Sequence, residues 1–230
     1  MWKPAGELVN KPIAMNNPLM RARRFIRVNG LYLFVCELWR LVGIAFRRWM
    51  LAGKLGRSNI VLGPRCHLSG LAYMRIGKNF QAAEGLWMEA IATHSGQTFS
   101  PSIVIGNNVT VSRWSHIAAT HRVEIGDGVL LGSNVLITDH NHGHYRNEVC
   151  DVGIPPALRT LERDRSVVIG KNVWLGDGVV VMPGVKIGDG SVIGANSVVT
   201  RDVPPFTIAA GSPAAALKKF DFTTQEWRKL

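Results

Sequence analysis

The 230-residue sequence has only three cysteines, Cys36, Cys66 and Cys150. Their number is odd and none is in a CxxC spacing, so the sequence favours neither a disulfide framework nor a cysteine zinc site. It also lacks an uncharged apolar run of the roughly 18 residues needed to cross a bilayer, because charged residues interrupt the apolar stretch 25–51. Reduced thiols and the missing span favour a cytoplasmic location.

Acidic residues are scarce in the first quarter of the chain. Residues 1–58 hold eleven of the 27 Lys and Arg residues but only two of the 16 Asp and Glu residues. Within this part, residues 20–51 have a helical pattern rich in Trp, Phe and Leu. Such a helix can lie peripherally on an anionic membrane surface or can cap the open end of a sheet, and the sequence leaves both open. We expect no nucleic-acid partner.

From residue 59 onward the sequence repeats with a period of six. In residues 169–204 the first position of every unit is aliphatic: Ile169, Leu175, Val181, Ile187, Ile193 and Val199. The fourth position is always a residue that tolerates positive φ: Asn172, Gly178, Gly184, Gly190, Asn196 and Asp202. This pattern predicts short strands joined by corners, with the aliphatic side chains stacked inside a parallel β-helix. The frame breaks at 93–102, predicted to be a short loop, and at 140–168, predicted to be a long loop.

Several segments within residues 59–219 resemble the hexapeptide acyltransferase family. They are I-G-D-G-S-V, I-G-A-N-S-V, N-V-W-L-G-D-G, V-V-T-R-D-V-P-P and A-A-G-S-P-A. They are most similar to the branch of galactoside, maltose, nodulation-factor and exopolysaccharide O-acetyltransferases. The resemblance implies an all-β, left-handed parallel β-helix, a homotrimer with active sites between subunits, and acetyl-CoA as the acetyl donor without a metal. We predict a helical region over 1–58, an acetyltransferase domain over 59–230 and a short C-terminal helix.

The resemblance also implies that residues 140–168 form a projecting loop that reaches over the next subunit. It further implies that His140, where this loop begins, is the general base. A sugar hydroxyl is a weak nucleophile, and a neutral imidazole can take its proton as it attacks a thioester. Asp139 either orients this imidazole or caps the turn. Asn141 and His142 are candidates for contacts with the acceptor.

The residues expected to contact acetyl-CoA come from the same resemblance. The N–H of Asp177 from an adjacent subunit would stabilise the oxyanion, Trp174 would pack on the pantetheine arm, and Ala195 would let that arm lie along the helix. Three more residues match positions near the nucleotide and its phosphates: Thr200, Arg201 and Lys218. One basic position of the family falls on Ala215, so phosphate recognition departs from the pattern there.

Three alternatives compete with this assignment. His116 and His121 have the spacing of the zinc ligands in γ-class carbonic anhydrases, but no His lies near Gln81, where the third ligand would be. A non-enzymatic scaffold would not need His140, and a small-molecule acetyltransferase would not need the basic N-terminal region. We therefore predict an O-acetyltransferase acting on the hydroxyl of a free or lipid-linked saccharide in surface polysaccharide synthesis.

Overall fold

The computed structural model describes residues 18–55, 59–145, 153–162 and 165–230. The chain divides into two compact units, with the division after Gly43. The end of the predicted helical region at residue 58 lies outside the described residues, and so does Cys150.

The first described element is the helix α1 (Pro18–Leu55), which is interrupted at Gly30 (φ 82°, ψ 160°). Glycine adopts this backbone conformation without a Cβ clash, which allows the break within a continuous helical run. The residues before the break are rich in arginine, whereas those after it expose large apolar side chains: Leu31, Tyr32, Leu38, Trp39 and Val42. None of the helices described here is long and apolar enough to cross a membrane.

In the described residues that follow α1, the chain has short strands and two 3₁₀ turns, Leu71–Tyr73 and Pro156–Leu158. In chain order the strands are β1 Val61–Leu62, β2 His67–Ser69, β3 Met74–Ile76, β4 Gln81–Ala82, β5 Trp87–Ala90, β6 Thr93–His94, β7 Gln97–Thr98, β8 Ser102–Ile105, β9 Thr110–Val111, β10 His116–Ala119, β11 Arg122–Ile125, β12 Leu130–Leu131, β13 Leu136–Thr138, β14 Val167–Ile169, β15 Trp174–Leu175, β16 Val180–Val181, β17 Lys186–Ile187, β18 Val192–Ile193, β19 Val198–Val199, β20 Thr207–Gly211, β21 Ala214–Asp221 and β22 Glu226–Lys229.

All of these strands except β6, β7, β21 and β22 form three parallel sheets that follow one another around each coil. The first sheet has the order β1-β4-β9-β12-β15-β18-β20, the second β2-β5-β10-β13-β16-β19, and the third β3-β8-β11-β14-β17. Every third strand along the repeat therefore pairs in register with its counterpart one coil away, as in Ile137↔Val181. The predicted left-handed parallel β-helix is confirmed.

The core is the stacked aliphatic column that the period predicts. Its members are almost fully buried in each sheet, for example Leu131, Ile137 and Ile169. At the corners, the predicted Asn and Gly positions have positive φ: Asn79, Asn108, Asn134, Asn172, Asn196, Gly128, Gly178, Gly184 and Gly190. Asp202 differs, because it accepts the Lys186 N–H (2.8 Å) through its side chain and is absent from the residues with positive φ.

Two local predictions are wrong. Residues 93–98 form the antiparallel hairpin β6–β7 and are not an irregular loop, because Ser95 and Gly96 both have positive φ and make a tight turn. The chain also ends in the hairpin β21–β22 and not in a short C-terminal helix. Strand β21 pairs with β20 and so satisfies the backbone groups that the last coil would leave open, and Phe220 packs edge-on against Trp227 (5.3 Å between centroids).

Candidate active site

His140 lies at the corner where the second sheet leads into the third, directly after β13. The preceding residue, Asp139, is fully buried. Its carboxylate accepts backbone N–H groups from Thr120 (2.8 Å), His121 (2.8 Å) and Arg122 (2.7 Å), which form the corner of the previous coil. The same carboxylate lies 2.9 Å from Nδ1 of His140. Asp139 thus both caps a turn and contacts the imidazole, the two roles that the sequence left open.

The hydrogen bonds of Asp139 decide its charge. Burial raises the pKa of its carboxyl, but the hydrogen bonds from His140 and from the N–H groups of Thr120 and His121 together outweigh burial and hold the pKa below its usual value. An ionised Asp139 at neutral pH can only accept a hydrogen bond, so Nδ1 of His140 carries the proton in this pair.

This tautomer leaves the second ring nitrogen of His140 with a lone pair. Thr138 fixes the His140 backbone, because its hydroxyl lies 3.2 Å from the His140 carbonyl and 3.4 Å from its N–H. The His140 side chain is 9% exposed, and Nε2 has no hydrogen-bond partner within the described residues. The arrangement is a buried, oriented base with one open nitrogen.

Asn141 and His142 form contacts at the start of the segment that follows His140. The Asn141 amide donates to the Glu162 carboxylate (2.9 Å), and the Glu162 N–H donates to the Asn141 carbonyl (3.0 Å). His142 forms an antiparallel bridge with the buried Leu161. The structure therefore gives both residues contacts within the chain, and their predicted role toward an acceptor stays a prediction.

The hairpin β6–β7 holds this segment from the other side. The Gln97 side-chain carbonyl accepts the Leu161 N–H (2.7 Å). The His94 ring meets the His142 ring edge-on (5.2 Å between centroids), and His94 Nε2 is buried without a hydrogen bond within the described part of the chain. Sequence reasoning missed Gln97 and His94, because no repeat position marks them.

Asp177 lies at a different corner, between the first and second sheets. Its Oδ1 accepts the N–H of Ser133 in the coil before (2.6 Å). Asp127 and Asp189 do the same for Asn107 and Lys171 (2.7 Å each). An acidic residue at this position of the six-residue unit therefore caps the N–H of the residue one coil below it.

The N–H of Asp177 is itself uncapped. The next coil places Ala195 at the corresponding position, as shown by the bond from the Asn196 N–H to the Asp177 carbonyl (2.8 Å). Alanine has no side-chain acceptor, and within the described residues the Asp177 N–H makes no hydrogen bond. The predicted oxyanion donor is thus a free backbone N–H, and the small residue above it accounts for that.

The remaining residues predicted to contact acetyl-CoA fall into two groups. Trp174 is 51% exposed on the outer face of the first sheet, in the row Trp174↔Val192↔Ile208↔Lys218. Thr200 and Arg201 follow β19 and lie at the same series of corners as His140. One chain therefore places Trp174, Asp177, Ala195 and Lys218 apart from His140.

The alternative metal pair has other contacts. The His116 ring stacks on Trp87 (4.3 Å, 12°), and its Nε2 lies 3.0 Å from the Glu89 carboxylate. His121 lies at the corner that Asp139 caps. In the part of the chain that the structure describes, no group of three or more His, Cys, Asp or Glu side chains is placed to hold a metal ion.

Known proteins resemble this chain in sequence and in fold. The family model "Bacterial transferase hexapeptide (six repeats)" matches residues 166–201. "Putative lipopolysaccharide biosynthesis O-acetyl transferase WbbJ" of Escherichia coli (strain K12) is 40% identical over 166 residues, which cover 71% of this chain and 81% of that protein. Galactoside O-acetyltransferase of the same strain is 36% identical over 143 residues, covering 60% and 63%.

Among solved structures, a point mutant of the N-acyltransferase AntD from Bacillus cereus, in complex with dTDP and coenzyme A, has a TM-score of 0.57. The match covers 70% of this chain and 81% of that one at 18% identity, so it supports the fold alone.

Proposed function

Since this chain belongs to the hexapeptide-repeat acyltransferase family, we propose that it transfers an acetyl group from acetyl-CoA to a saccharide hydroxyl. The observation that carries this proposal is the buried Asp139–His140 pair with its open Nε2. The names of the related O-acetyltransferases support the acetyl donor and the saccharide acceptor.

In the proposed reaction, Nε2 of His140 accepts the proton of the acceptor hydroxyl as its oxygen attacks the thioester carbonyl. Asp139 keeps the proton on Nδ1 and stabilises the imidazolium that forms. When the tetrahedral intermediate collapses, the new C–O bond remains and the C–S bond breaks. His140 then returns its proton to the departing CoA thiolate, so no acyl-enzyme is required.

The oxyanion of this intermediate needs a donor that a single chain does not bring to His140. Asp177 lies at the corner before β16, whose Val181 pairs with Ile137 of β13 in the coil of His140, so the width of the second sheet separates the Asp177 N–H from His140. His140 lies three residues beyond Ile137. We assign the donor to the Asp177 N–H of a second copy, with Trp174, Ala195 and Lys218 of that copy along the CoA and Thr200 and Arg201 near its nucleotide. Three copies would close the arrangement as a homotrimer.

The acceptor class follows from similarity and from helix α1. The related WbbJ protein is named for lipopolysaccharide biosynthesis. The segment before Gly30 carries Arg23, Arg24 and Arg27, and the segment after it exposes apolar side chains such as Trp39. Arginines and large apolar residues together favour an anionic membrane surface. We therefore place the enzyme in the cytoplasm, peripherally on the inner face of the membrane, acting on a surface-polysaccharide precursor.

Substitution of the base tests the reaction. His140→Ala should abolish transfer from acetyl-CoA to methyl galactoside while acetyl-CoA still binds, because the base does not contact the donor in this scheme. His144→Ala is the matched control, since His144 is an exposed histidine of the same segment, and it should retain transfer. Transfer by the His140→Ala variant at the normal rate would refute the assignment.

Sedimentation with vesicles tests the membrane contact separately. Full-length protein should co-sediment with vesicles containing anionic lipid, and Trp39→Glu should weaken this binding because it places a charge on the apolar surface. Equal binding of Trp39→Glu and the unaltered protein would contradict the membrane role of α1.

A further inference from the structure

Trp114 occupies a corner position at which most coils have Gly or Asn. Its φ is 59°, and Gly85, Asn134, Gly178 and Asn196 hold the equivalent position in other coils, all with positive φ. Arg65 (φ 54°), in the first coil, is a second exception. A bulky side chain is strained in this backbone conformation, and such residues persist where the surrounding structure or a function requires them.

The contacts of Trp114 leave one side of its ring open. The indole lies over Gly85, where a Cβ atom would overlap it. The Arg65 guanidinium carbon lies 5.1 Å from the ring centroid, and Arg65 is in turn bound to Glu84 (Nε–Oε1 2.7 Å). Trp114 is nevertheless 48% exposed.

Phe206 provides a structural comparison. It also has positive φ (55°) and lies over a glycine, Gly190. Phe206, however, packs against Phe222 of the C-terminal hairpin (4.8 Å between centroids). Packing within the chain explains the aromatic residue at Phe206, whereas the exposed face of Trp114 has no such packing in the described residues and is free to contact a ligand.

Arg113, which immediately precedes Trp114, lines a groove of about 400 Å³ that lies across β1, β4 and β9 at the corner leading into the second sheet. Its polar lining consists of Gln81, Thr110, Ser112, Arg113 and Ser133 around small apolar residues. The N–H of Arg113 makes no hydrogen bond within the described residues. The groove thus offers hydroxyl, amide and guanidinium groups, and the aromatic residue Trp114 follows directly after its lining residue Arg113. Such a combination suits the polar edges and apolar faces of sugar rings.

The groove is continuous with the proposed transfer site. Ser133 lines it, and the Ser133 N–H is bonded to the Asp177 side chain (2.6 Å). Asp177 carries the proposed oxyanion donor, one coil or about 4.8 Å further along the helix. The groove extends away from Ala195 and reaches across β4 and β9. It therefore lies on the side opposite to the proposed position of the pantetheine arm of acetyl-CoA.

From this continuity, and on the basis of the proposed function above, we propose that the acceptor is an oligosaccharide that binds along this corner with one pyranose ring stacked on Trp114. The groove spans two strand spacings, about 10 Å, which exceeds the length of a single sugar ring. A monosaccharide at the transfer site would leave Trp114 unoccupied.

The test compares transfer to methyl galactoside with transfer to lactose, maltotriose and cellotriose. The protein should use at least one oligosaccharide with a kcat/KM about tenfold above that for methyl galactoside, the size of one favourable ring contact. Trp114→Asn should remove this preference and leave the KM for acetyl-CoA unchanged, and Trp114→Phe should restore part of it. Because asparagine suits the backbone, Trp114→Asn should melt at or above the temperature of the unaltered protein.

Phe206→Asn is the matched control, since it relieves the same backbone conformation away from the groove and should keep the preference. Transfer that is equal for all four sugars, or a preference that survives Trp114→Asn, would overturn this inference while leaving the proposed function intact. Transfer to none of the four would count against both.

Discussion

Replacing Ala195 by Asp should make the protein more stable and less active at once. At the same position of the six-residue unit, Asp177 at this corner and Asp127 and Asp189 at the corner between the third and first sheets accept the N–H one coil below, at 2.6–2.7 Å. The geometry at Ala195 is the same. An ideal Cβ on Gly176 lies 2.7 Å from the Ala195 nitrogen, and one on Gly132 lies 2.6 Å from the Asp177 nitrogen. The new carboxylate should therefore cap the Asp177 N–H.

The size of both effects follows from this one bond. A hydrogen bond to a charged group contributes about 1.5–3 kcal/mol to the free energy of unfolding. Because the new carboxylate would be exposed, we expect a gain near or below the lower end of this range. Loss of one oxyanion donor lowers kcat by a factor on the order of 10² to 10³. Thermal unfolding would report the first effect, and steady-state transfer to methyl galactoside the second.

Bulk must be separated from capping, because Ala195 is also expected to lie beside the pantetheine arm. Ala195→Val adds volume without an acceptor, so it should raise the KM for acetyl-CoA more than it lowers kcat. If Ala195→Asp kept its kcat, or lost activity only through the KM for acetyl-CoA as the valine variant does, the reasoning about the free Asp177 N–H would fail.

Two further predictions concern Asp139. Asp139→Asn should lower kcat by a factor on the order of 10³, since the amide no longer fixes the His140 tautomer. It should also destabilise the fold by about 3 kcal/mol, because its NH₂ would face buried N–H donors. The control Asp127→Asn changes a corner cap that contacts no histidine, and it should alter neither kcat nor stability appreciably. Because the pKa of Asp139 lies below its ordinary value of 3.8, its contribution to stability is complete above that value and is lost as pH falls through the lowered pKa. Denaturant unfolding from pH 7 to pH 2 should therefore measure a difference in the free energy of unfolding between the unaltered protein and Asp139→Asn. This difference should be constant above about pH 5 and should shrink below pH 4. A difference that does not depend on pH would contradict the charged state of Asp139.

The parts of the fold that could be predicted are those in which the position of a residue within the repeat determines its structural role. Ile169, Leu175 and Val181 point inward because the period places them there, and neighbouring coils repeat the same requirement. The hairpin β6–β7 and the strand β21 lie outside the period. Their structure depends on a two-residue turn and on an open sheet edge, neither of which has a repeating signal.

The candidate site was predictable to the same degree. His140 stands at an interruption and carries a family motif, so its position could be found from the sequence. The role of Asp139 could not be decided, because its N–H partners Thr120, His121 and Arg122 come from a coil about twenty residues earlier. Gln97 was missed for a related reason, since its partner Leu161 lies 64 residues away.

The residues proposed for function share a property that a repeat protein makes visible. The corners of the repeat mostly hold a residue that accepts positive φ, and several carry an acidic cap for the coil below. Ala195 omits the cap and leaves the Asp177 N–H open, while Trp114 replaces the Gly or Asn of its position with a large ring. His140 begins the segment where the period stops. Because the regular positions already account for stability, a departure that the core does not require is explained by what binds there.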